Sequence, residues 1–194
     1  GLEKLEYRGY DSSGIDVING ADIDVRKAKG RLSVLRERTD DGKNVIGTVG
    51  IGHTRWATHG EPNDVNAHPH LSNSKKFAVV HNGIIENYIE LKNSLTKKGF
   101  EFMSETDTEV IAHLFEYYYK GDIVDAMIKV INRVEGSYAL GVLCSDYPDS
   151  FVAVRKASPL IIGLGEGENF IASDVTAILK HTRNIHYIED NEIV

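Results

Sequence analysis

Two short apolar runs near the middle of the chain have the length of buried strands, and each is followed by polar residues. The runs cover residues 49–51 and 77–80. The sequence HTRWATHG follows the first run closely, and His81, Asn82 and Gly83 follow the second. Because side chains at the ends of adjacent strands can be directed at one small volume, this pattern predicts a site built on a rigid scaffold.

Hydrophobic periodicity predicts the remaining elements. Four apolar residues recur at helical spacing, namely Ile84, Tyr88, Leu91 and Leu95. A helix is therefore expected to begin directly after Gly83 and to end near Gly99. Further helices are expected at residues 1–7, 30–38, 110–118, 122–134 and 174–179. Further strands are expected at 15–18, 23–28, 101–103, 137–144, 151–154, 160–163, 170–171 and 185–188, with antiparallel pairing.

Length, charge and cysteine content narrow the classes of function. The 194 residues suffice for one domain with a sizeable core. A formal charge of −7 and a pI near 5.6 disfavour nucleic acid as a partner. No apolar run approaches the roughly 20 residues of a membrane span. The single cysteine excludes an internal disulfide framework and fits a reducing, cytoplasmic location.

Asn82 and Gly83 offer two hydrogen-bond donors side by side. The Asn82 side chain carries an amide NH2 group, and Gly83 has a backbone N–H with no Cβ to obstruct an approaching group. Together they are able to stabilise a developing oxyanion. The alternative is a simple turn, since Asn-Gly is also a strong hairpin signal.

The polar segment after the first run adds charge. Arg55 has a planar guanidinium suited to a carboxylate, Thr58 and His59 add a hydroxyl and an imidazole, and Trp56 is a candidate lid or wall. The alternative is that Arg55 forms a surface ion pair and that Trp56 belongs to the core.

Asp107 precedes an apolar helical stripe. Thr106 and Glu109 have the spacing of a capping box, which places Asp107 in the first helical turn, where the helix dipole favours a carboxylate. The functional alternative is a carboxylate that holds an ammonium group.

Histidine and cysteine residues raise two further hypotheses. Four histidines are candidate metal ligands if the fold gathers them: His59, His68, His70 and His81. No cysteine lies near them, so hydrogen-bonded, structural histidines are favoured, and neither a metal nor another cofactor is expected. Cys144 ends an apolar run and is expected to be a buried, inert thiol.

Several motifs carry a resemblance to a known family. They are LEYRGYDSSGI at 5–15, GHTRWATHG at 52–60, HNGIIENY at 81–88, SETDTEV at 104–110 and ASDVTAIL at 172–179. In this order they resemble the glutamine amidotransferase domain of glutamine–fructose-6-phosphate aminotransferases, and the resemblance makes residues 1–194 one such domain. Amidophosphoribosyltransferases share the His-Asn-Gly segment, and the other motifs are expected to match them less closely.

The resemblance implies a fold and a mechanism. The fold is α+β, an αββα four-layer sandwich of two antiparallel sheets, as in N-terminal-nucleophile hydrolases. An N-terminal cysteine, with its own α-amine as base, attacks the side-chain amide of glutamine. Asn82 and Gly83 stabilise the tetrahedral oxyanion, and Arg8 and Gly9 help to orient the nucleophile.

The resemblance also implies the binding partners. Arg55 takes the α-carboxylate of glutamine and Asp107 its α-amine, with Trp56, Thr58 and His59 completing the pocket. Fructose-6-phosphate is handled by a separate sugar isomerase domain, and the full-length enzyme is expected to be a homo-oligomer. Three alternatives stay open: a non-catalytic glutamine-binding domain, another glutamine-dependent transferase, and a metal-binding module.

The sequence departs from the family pattern at its start. Residue 1 is Gly, so the chain is expected to be a fragment that lacks the nucleophile, the first strand, most of the first helix and the isomerase domain.

We therefore expect that this 194-residue polypeptide releases no ammonia from glutamine. Incubation with glutamine and an ammonia assay test this expectation, and turnover would refute the assignment of an N-terminal cysteine as nucleophile.

Overall fold

Ten strands, four α-helices and three short 3-10 helices make up the regular structure of the computed structural model, which describes residues 1–194. The strands are β1 (Ser12–Asn19), β2 (Asp22–Lys29), β3 (Gly50–Arg55), β4 (His70–Leu71), β5 (Phe77–Ile85), β6 (Gly136–Cys144), β7 (Phe151–Lys156), β8 (Ile161–Leu164), β9 (Asn169–Ala172) and β10 (Ile185–Tyr187). The α-helices are α1 (Leu32–Arg38), α2 (Tyr88–Thr96), α3 (Glu109–Tyr118) and α4 (Ile123–Ile131). The 3-10 helices are Leu2–Lys4, Glu6–Arg8 and Val175–Ala177.

The strands form three antiparallel sheets. Their orders are β2-β1-β3, β4-β5-β6-β7 and β10-β8-β9, and every neighbouring pair of strands is antiparallel. Strands β3 and β9 are each paired on one side only, so both have a free edge. None of the helices combines the length and apolar character that crossing a membrane requires.

The four-stranded sheet is the centre of the layered structure. Along β5, Phe77, Val79 and Ile85 point to one face, where they pack with α2, α3 and α4 in the largest core cluster. The other face carries Ala78, which packs against Ile51 of β3. This alternation follows from the two-residue period of a strand, and it lets one sheet bury apolar residues on both faces.

The two three-stranded sheets form the second β layer. The β2-β1-β3 sheet packs on the central sheet through Ile18 and Ile51, and the β8-β9-β10 region packs on it through Leu160 and Ile188. On the outer side of this layer, Leu32 and Leu35 of helix α1 pack on the β2-β1-β3 sheet. The 3-10 helix Val175–Ala177 packs on the β10-β8-β9 sheet. The order of layers is helix, sheet, sheet, helix, which confirms the predicted αββα sandwich.

Two predicted boundaries around β3 and β5 are wrong. Strand β3 continues to Arg55, so His53 and Arg55 lie within the strand rather than after it. Strand β5 continues to Ile85, and α2 begins at Tyr88, so Gly83 is not at a strand-to-helix junction. The physical reason is pairing with β6, which extends the ladder through residues 82–85 and overrides the helical spacing of Ile84.

Other local predictions also fail. Residues 101–103 form no strand, because the backbone of Glu101 is hydrogen-bonded to the Asn73 side chain and no strand lies beside them. The capping box is absent, since the Glu109 carboxylate accepts hydrogen bonds from Met103 and Ser104 instead. The expected N-terminal helix is replaced by the 3-10 helices Leu2–Lys4 and Glu6–Arg8.

Asp16 is a buried carboxyl group without a hydrogen-bond partner. It lies opposite Ile51 on the inner face of β1, and neither carboxylate oxygen has a hydrogen-bond partner. Burial raises the pKa of Asp16 to about 8, and Lys27 opposes the shift only partly. Burial also lowers the pKa of Lys27 to about 8. The folded state therefore holds a proton on Asp16 at pH values where the unfolded chain has released it.

This raised pKa makes stability depend on pH. A carboxyl group with a raised folded-state pKa destabilises the folded state progressively as pH rises from about 4 to about 8. We expect Asp16→Ala to remove this slope and to raise the free energy of unfolding by more than about 1 kcal/mol at about pH 8, with a smaller gain at about pH 5. Denaturant unfolding at both pH values measures the difference.

Asp22→Ala is the matched control, because Asp22 is an exposed residue on β2. It should leave the pH dependence unchanged. An equal slope in wild type and Asp16→Ala would contradict the assignment of the slope to Asp16.

Candidate active site

A cavity of about 570 Å³ lies between the two β layers and opens to solvent. It brings together all but one of the residues that the sequence indicated: Arg8, Arg55, Trp56, Thr58, His59, Asn82, Gly83 and Asp107. The exception is Gly9. It is buried against the backbone of β3, where an added Cβ would lie 2.7 Å from the Thr54 carbonyl oxygen, so its contribution is close packing.

Strand β3 directs two polar side chains into the interior. Ile51, His53 and Arg55 are every second residue of the strand and so lie on the same face. Ile51 belongs to the core between the sheets. The period of two therefore turns His53 and Arg55 toward the central sheet as well. Arg55 is buried, and His53 is half-buried with its Nδ1 withdrawn from water.

The Arg55 guanidinium is buried and only partly satisfied. Nη2 donates to the carbonyl oxygens of His59 and Gly60, the latter at 3.2 Å. Nη1 lies 3.7 Å from an Asp11 carboxylate oxygen and has no hydrogen-bond partner. Burial lowers the pKa of Arg55, but a guanidinium stays charged at neutral pH. Arg55 is thus not a surface ion pair, and one of its donor groups is available.

Trp56 is exposed rather than part of the core. Its exposed fraction is 59%, and its ring packs edge-to-face on Tyr10 with centroids 5.3 Å apart. The Asp11 carboxylate accepts a hydrogen bond from the N–H of Ala57, and His59 Nδ1 lies 3.2 Å from the Thr58 hydroxyl. Trp56, Thr58 and His59 therefore form one wall of the cavity.

Gly83 occupies a position that only glycine fits. Its φ is +129°, and an added Cβ would collide with the Ser137 carbonyl oxygen of β6. Phe77, Gly83 and Ile85 are separated by even numbers of residues on β5. The Phe77 carbonyl accepts a hydrogen bond from the Ser72 N–H, and the Ile85 N–H donates to the Asp107 carboxylate, both on the edge of β5 that faces away from β6. Alternation along the strand directs the Gly83 N–H to that edge too.

Asp107 lies before α3, not in its first turn. Its Oδ2 accepts the Ile85 N–H at 2.8 Å, and its Oδ1 has only a 3.5 Å contact with the Thr108 hydroxyl. The side chain is 4% exposed. A buried carboxylate with an under-used oxygen beside the cavity is suited to binding a cation.

The histidines form a hydrogen-bonded group around Thr108. His68 Nε2 and His81 Nδ1 lie 2.9 and 3.0 Å from its hydroxyl oxygen, and His53 stacks on His68 with centroids 4.5 Å apart. Burial lowers the pKa of His53 to about 4, and it lowers those of His68 and His81 as well. No group of three or more His, Cys, Asp or Glu side chains is arranged to hold a metal ion.

Comparison with known proteins identifies the family. A family model described as a glutamine amidotransferase domain matches residues 12–194. The chain belongs to this glutamine amidotransferase family. Curated relatives include the isomerizing glutamine–fructose-6-phosphate aminotransferases of Caldanaerobacter subterraneus, 64% identical over 193 residues, and Clostridium tetani, 60% identical over 194 residues. Each alignment covers 100% of this chain and 32% of the relative, so the chain spans about a third of their length.

Solved structures agree with this assignment. A Bacillus subtilis glutamine phosphoribosylpyrophosphate amidotransferase, complexed with ADP and GMP, has a TM-score of 0.79 at 26% identity. It matches 96% of this chain and 40% of its own. A structure described as the allosteric regulatory enzyme of purine biosynthesis has a TM-score of 0.80 at 27% identity, over 97% and 40% of the two chains. The resemblance inferred from the motifs is confirmed at the level of family and fold.

Sequence reasoning about this amidotransferase chain missed one residue. His53 lies within the GHTRWATHG motif, but the motif resemblance assigns it no function. Its Nε2 is 2.8 Å from Asn82 Oδ1. The spacing of His53 and Arg55 was an available signal, because two residues apart on a strand means the same face. Cys144 is buried as expected, on the helix-facing side of β6 and outside the cavity.

We expect Gly83→Ala to destabilise the amidotransferase fold by at least about 2 kcal/mol, because strain at positive φ is added to a collision with backbone. Gly99→Ala is the matched control. Gly99 has φ +93° and nothing within 4 Å of an added Cβ, so its cost should be about 1 kcal/mol from φ alone. Denaturant unfolding measures both, and equal losses would mean that the collision is relieved.

Proposed function

We propose that this chain is the glutaminase domain of a glutamine–fructose-6-phosphate aminotransferase, and that it binds glutamine in the cavity and holds it for release of ammonia. One observation carries the proposal: a guanidinium, a carboxylate and a pair of neutral donors line the same cavity. Glutamine is zwitterionic, so its binding site needs one group of each charge. Its side-chain amide needs donors for an oxyanion.

The charged groups suit the two ends of an amino acid. Arg55 Nη1 is a buried donor without a hydrogen-bond partner, and a bound α-carboxylate would satisfy it. Asp107 keeps one under-used oxygen for the α-ammonium group. A ligand with only one charge would leave either Arg55 or Asp107 unpaired, which costs free energy. A zwitterion, which pairs with both groups, is therefore favoured.

The donors suit the reaction at the amide. A thiolate attacks the amide carbon, and the carbonyl oxygen takes up negative charge that Asn82 Nδ2 and the Gly83 N–H stabilise, by roughly 3–4 kcal/mol per donor in other hydrolases. Collapse expels ammonia with a proton from the base and leaves a thioester, which water hydrolyses to glutamate. The nucleophile in this proposal is the N-terminal cysteine that the family resemblance implies. It stays a prediction.

The relatives support fructose-6-phosphate as the acceptor in the whole enzyme. This chain is 64% identical to a glutamine–fructose-6-phosphate aminotransferase over its full length, but 26% identical to a phosphoribosylpyrophosphate amidotransferase. In this proposal a second domain carries the sugar chemistry, and the complete protein is a cytoplasmic homo-oligomer. The phosphoribosyl acceptor is the second candidate, favoured only by the shared fold.

We expect Arg55→Lys and Asp107→Asn each to weaken glutamine binding to this chain by about 30-fold or more. The reason is that Asp107→Asn removes one charge of a buried pair, whereas Arg55→Lys keeps the charge but loses the planar fork that matches a carboxylate, each at a cost of about 2 kcal/mol or more. Calorimetric titration with glutamine measures the affinity, and thermal unfolding confirms that each variant is folded.

Arg36→Lys and Asp146→Asn are the matched controls, because both residues are surface ion-pair members outside the cavity. They should bind glutamine as the wild type does. Wild-type affinity in folded Arg55→Lys and Asp107→Asn would exclude this mode of binding.

A further inference from the structure

We propose that His53 is a positioning residue whose half-buried imidazole fixes the side-chain amide of Asn82 with its NH2 group toward the cavity. The inference deepens the proposed function and rests on it, because amide orientation matters to catalysis only if Asn82 stabilises the oxyanion. It assigns to His53 an action through Asn82 rather than a contact with substrate.

The bond between His53 and Asn82 crosses from one sheet to the other. His53 is on the inner face of β3 and Asn82 on the inner face of β5, and Nε2 lies 2.8 Å from Oδ1. The position of these atoms alone is compatible with two arrangements. Either Nε2–H donates to the amide oxygen, or a rotated amide donates to a bare Nε2. The second arrangement would turn the amide oxygen to the cavity and repel an oxyanion.

The other ring nitrogen decides between the two arrangements. His53 Nδ1 is buried and has no hydrogen-bond partner. A proton on Nδ1 would be an orphaned buried donor, which is rarer in folded proteins than an under-used acceptor. The proton is therefore favoured on Nε2, from which it is donated to Asn82 Oδ1. The amide nitrogen of Asn82 is then left for the cavity.

The orientation is insensitive to pH in the range where the protein works. His53 faces the cationic Arg55 and the imidazole of His81, which oppose its protonation, and Asp11, which favours it. Burial is the largest influence and lowers the pKa of His53 to about 4. The ring is thus neutral near pH 7, and even the protonated ring would still donate from Nε2. Titration does not rotate the Asn82 amide.

The surroundings of His53 hold the ring in place. The His68 ring stacks on it with an interplanar angle of 31°, and His68 is itself hydrogen-bonded to the Thr108 hydroxyl. Thr108 in turn contacts His81 of β5 and follows Asp107 in the chain. Through these contacts, the groups that bind the substrate and the group that orients the donor belong to one rigid unit.

The tautomer of His53 is directly measurable in this 194-residue chain. Nitrogen-15 NMR of the histidine rings distinguishes protonated from bare nitrogens. We expect His53 to be protonated at Nε2 and bare at Nδ1 throughout about pH 6–8, as its lowered pKa allows. A proton on Nδ1 with a bare Nε2 would overturn the proposal. This measurement requires neither catalysis nor a variant.

Kinetics of the full-length enzyme test the consequence. We expect His53→Leu to lower kcat for glutamine hydrolysis by about 10- to 100-fold and to change KM by less than about 2-fold. The reason is that leucine cannot donate to the Asn82 amide oxygen, so the transition state loses the oriented Asn82 donor while ground-state binding is kept. His53→Gln restores a side-chain N–H and should recover most of kcat. A merely structural function would lower thermal stability and alter KM as well, and it would not be rescued by Gln.

A double-mutant cycle separates this inference from the proposed function. In an Asn82→Ala background, His53→Leu should cause no further loss, because its effect passes through Asn82. If Asn82→Ala itself leaves kcat unchanged, the proposed oxyanion function of Asn82 is wrong. If Asn82→Ala lowers kcat and His53→Leu does not, the positioning function of His53 is wrong and the proposed function stands.

Discussion

Strands β3 and β5 belong to different sheets, and the hydrogen bond between His53 Nε2 and Asn82 Oδ1 joins them across the sandwich. The bond requires that both strands present polar side chains inward at a place where the sheets are otherwise held together by apolar residues. Ile51 and Ala78 provide that apolar contact a few positions away. The register of each strand therefore fixes the site, because a slip of one residue would turn every side chain to the opposite face.

Buried ionisable groups in this protein are found in two kinds of environment. Asp107 is partly compensated by the Ile85 N–H, and Arg55 by two carbonyl oxygens and by Asp11, while Arg55 Nη1 makes no hydrogen bond. Asp16 also lines the cavity, yet it has neither a hydrogen bond nor an ion pair. In the proposed function, the remaining hydrogen-bonding capacity of Arg55 and Asp107 serves substrate binding. Asp16 has only the nearby Lys27, which opposes the rise of its pKa in part, so ionisation of Asp16 lowers the stability of the folded state.

The sequence allowed most strands and helices to be placed, because alternation and helical spacing are local signals. The errors occurred where distant pairing or side-chain bonds decide. Residue 84 fits a helical stripe, but pairing with β6 makes it part of a strand. Glu109 fits a capping box, but its carboxylate accepts hydrogen bonds from the backbone of residues 103–104. The motifs led to the residues of the cavity. They did not reveal the bond between His53 and Asn82, because it joins strands of two different sheets, and spacing within β3 shows only that His53 shares a face with Arg55.

In the proposed function, one pair of residues in the cavity binds the substrate and another pair stabilises the transition state. Arg55 and Asp107 contact the α-groups, whose charges do not change during attack on the amide, so they stabilise ground state and transition state alike and act on KM. Asn82 and Gly83 face charge that exists only in the transition state, so their contribution acts on kcat. Donors of this second kind must be oriented before the reaction begins. Gly83 gains its orientation from the β5 ladder, whereas a side-chain amide is free to rotate by half a turn. A neutral, half-buried imidazole bonded to the amide oxygen removes that freedom without placing a second charge beside the oxyanion.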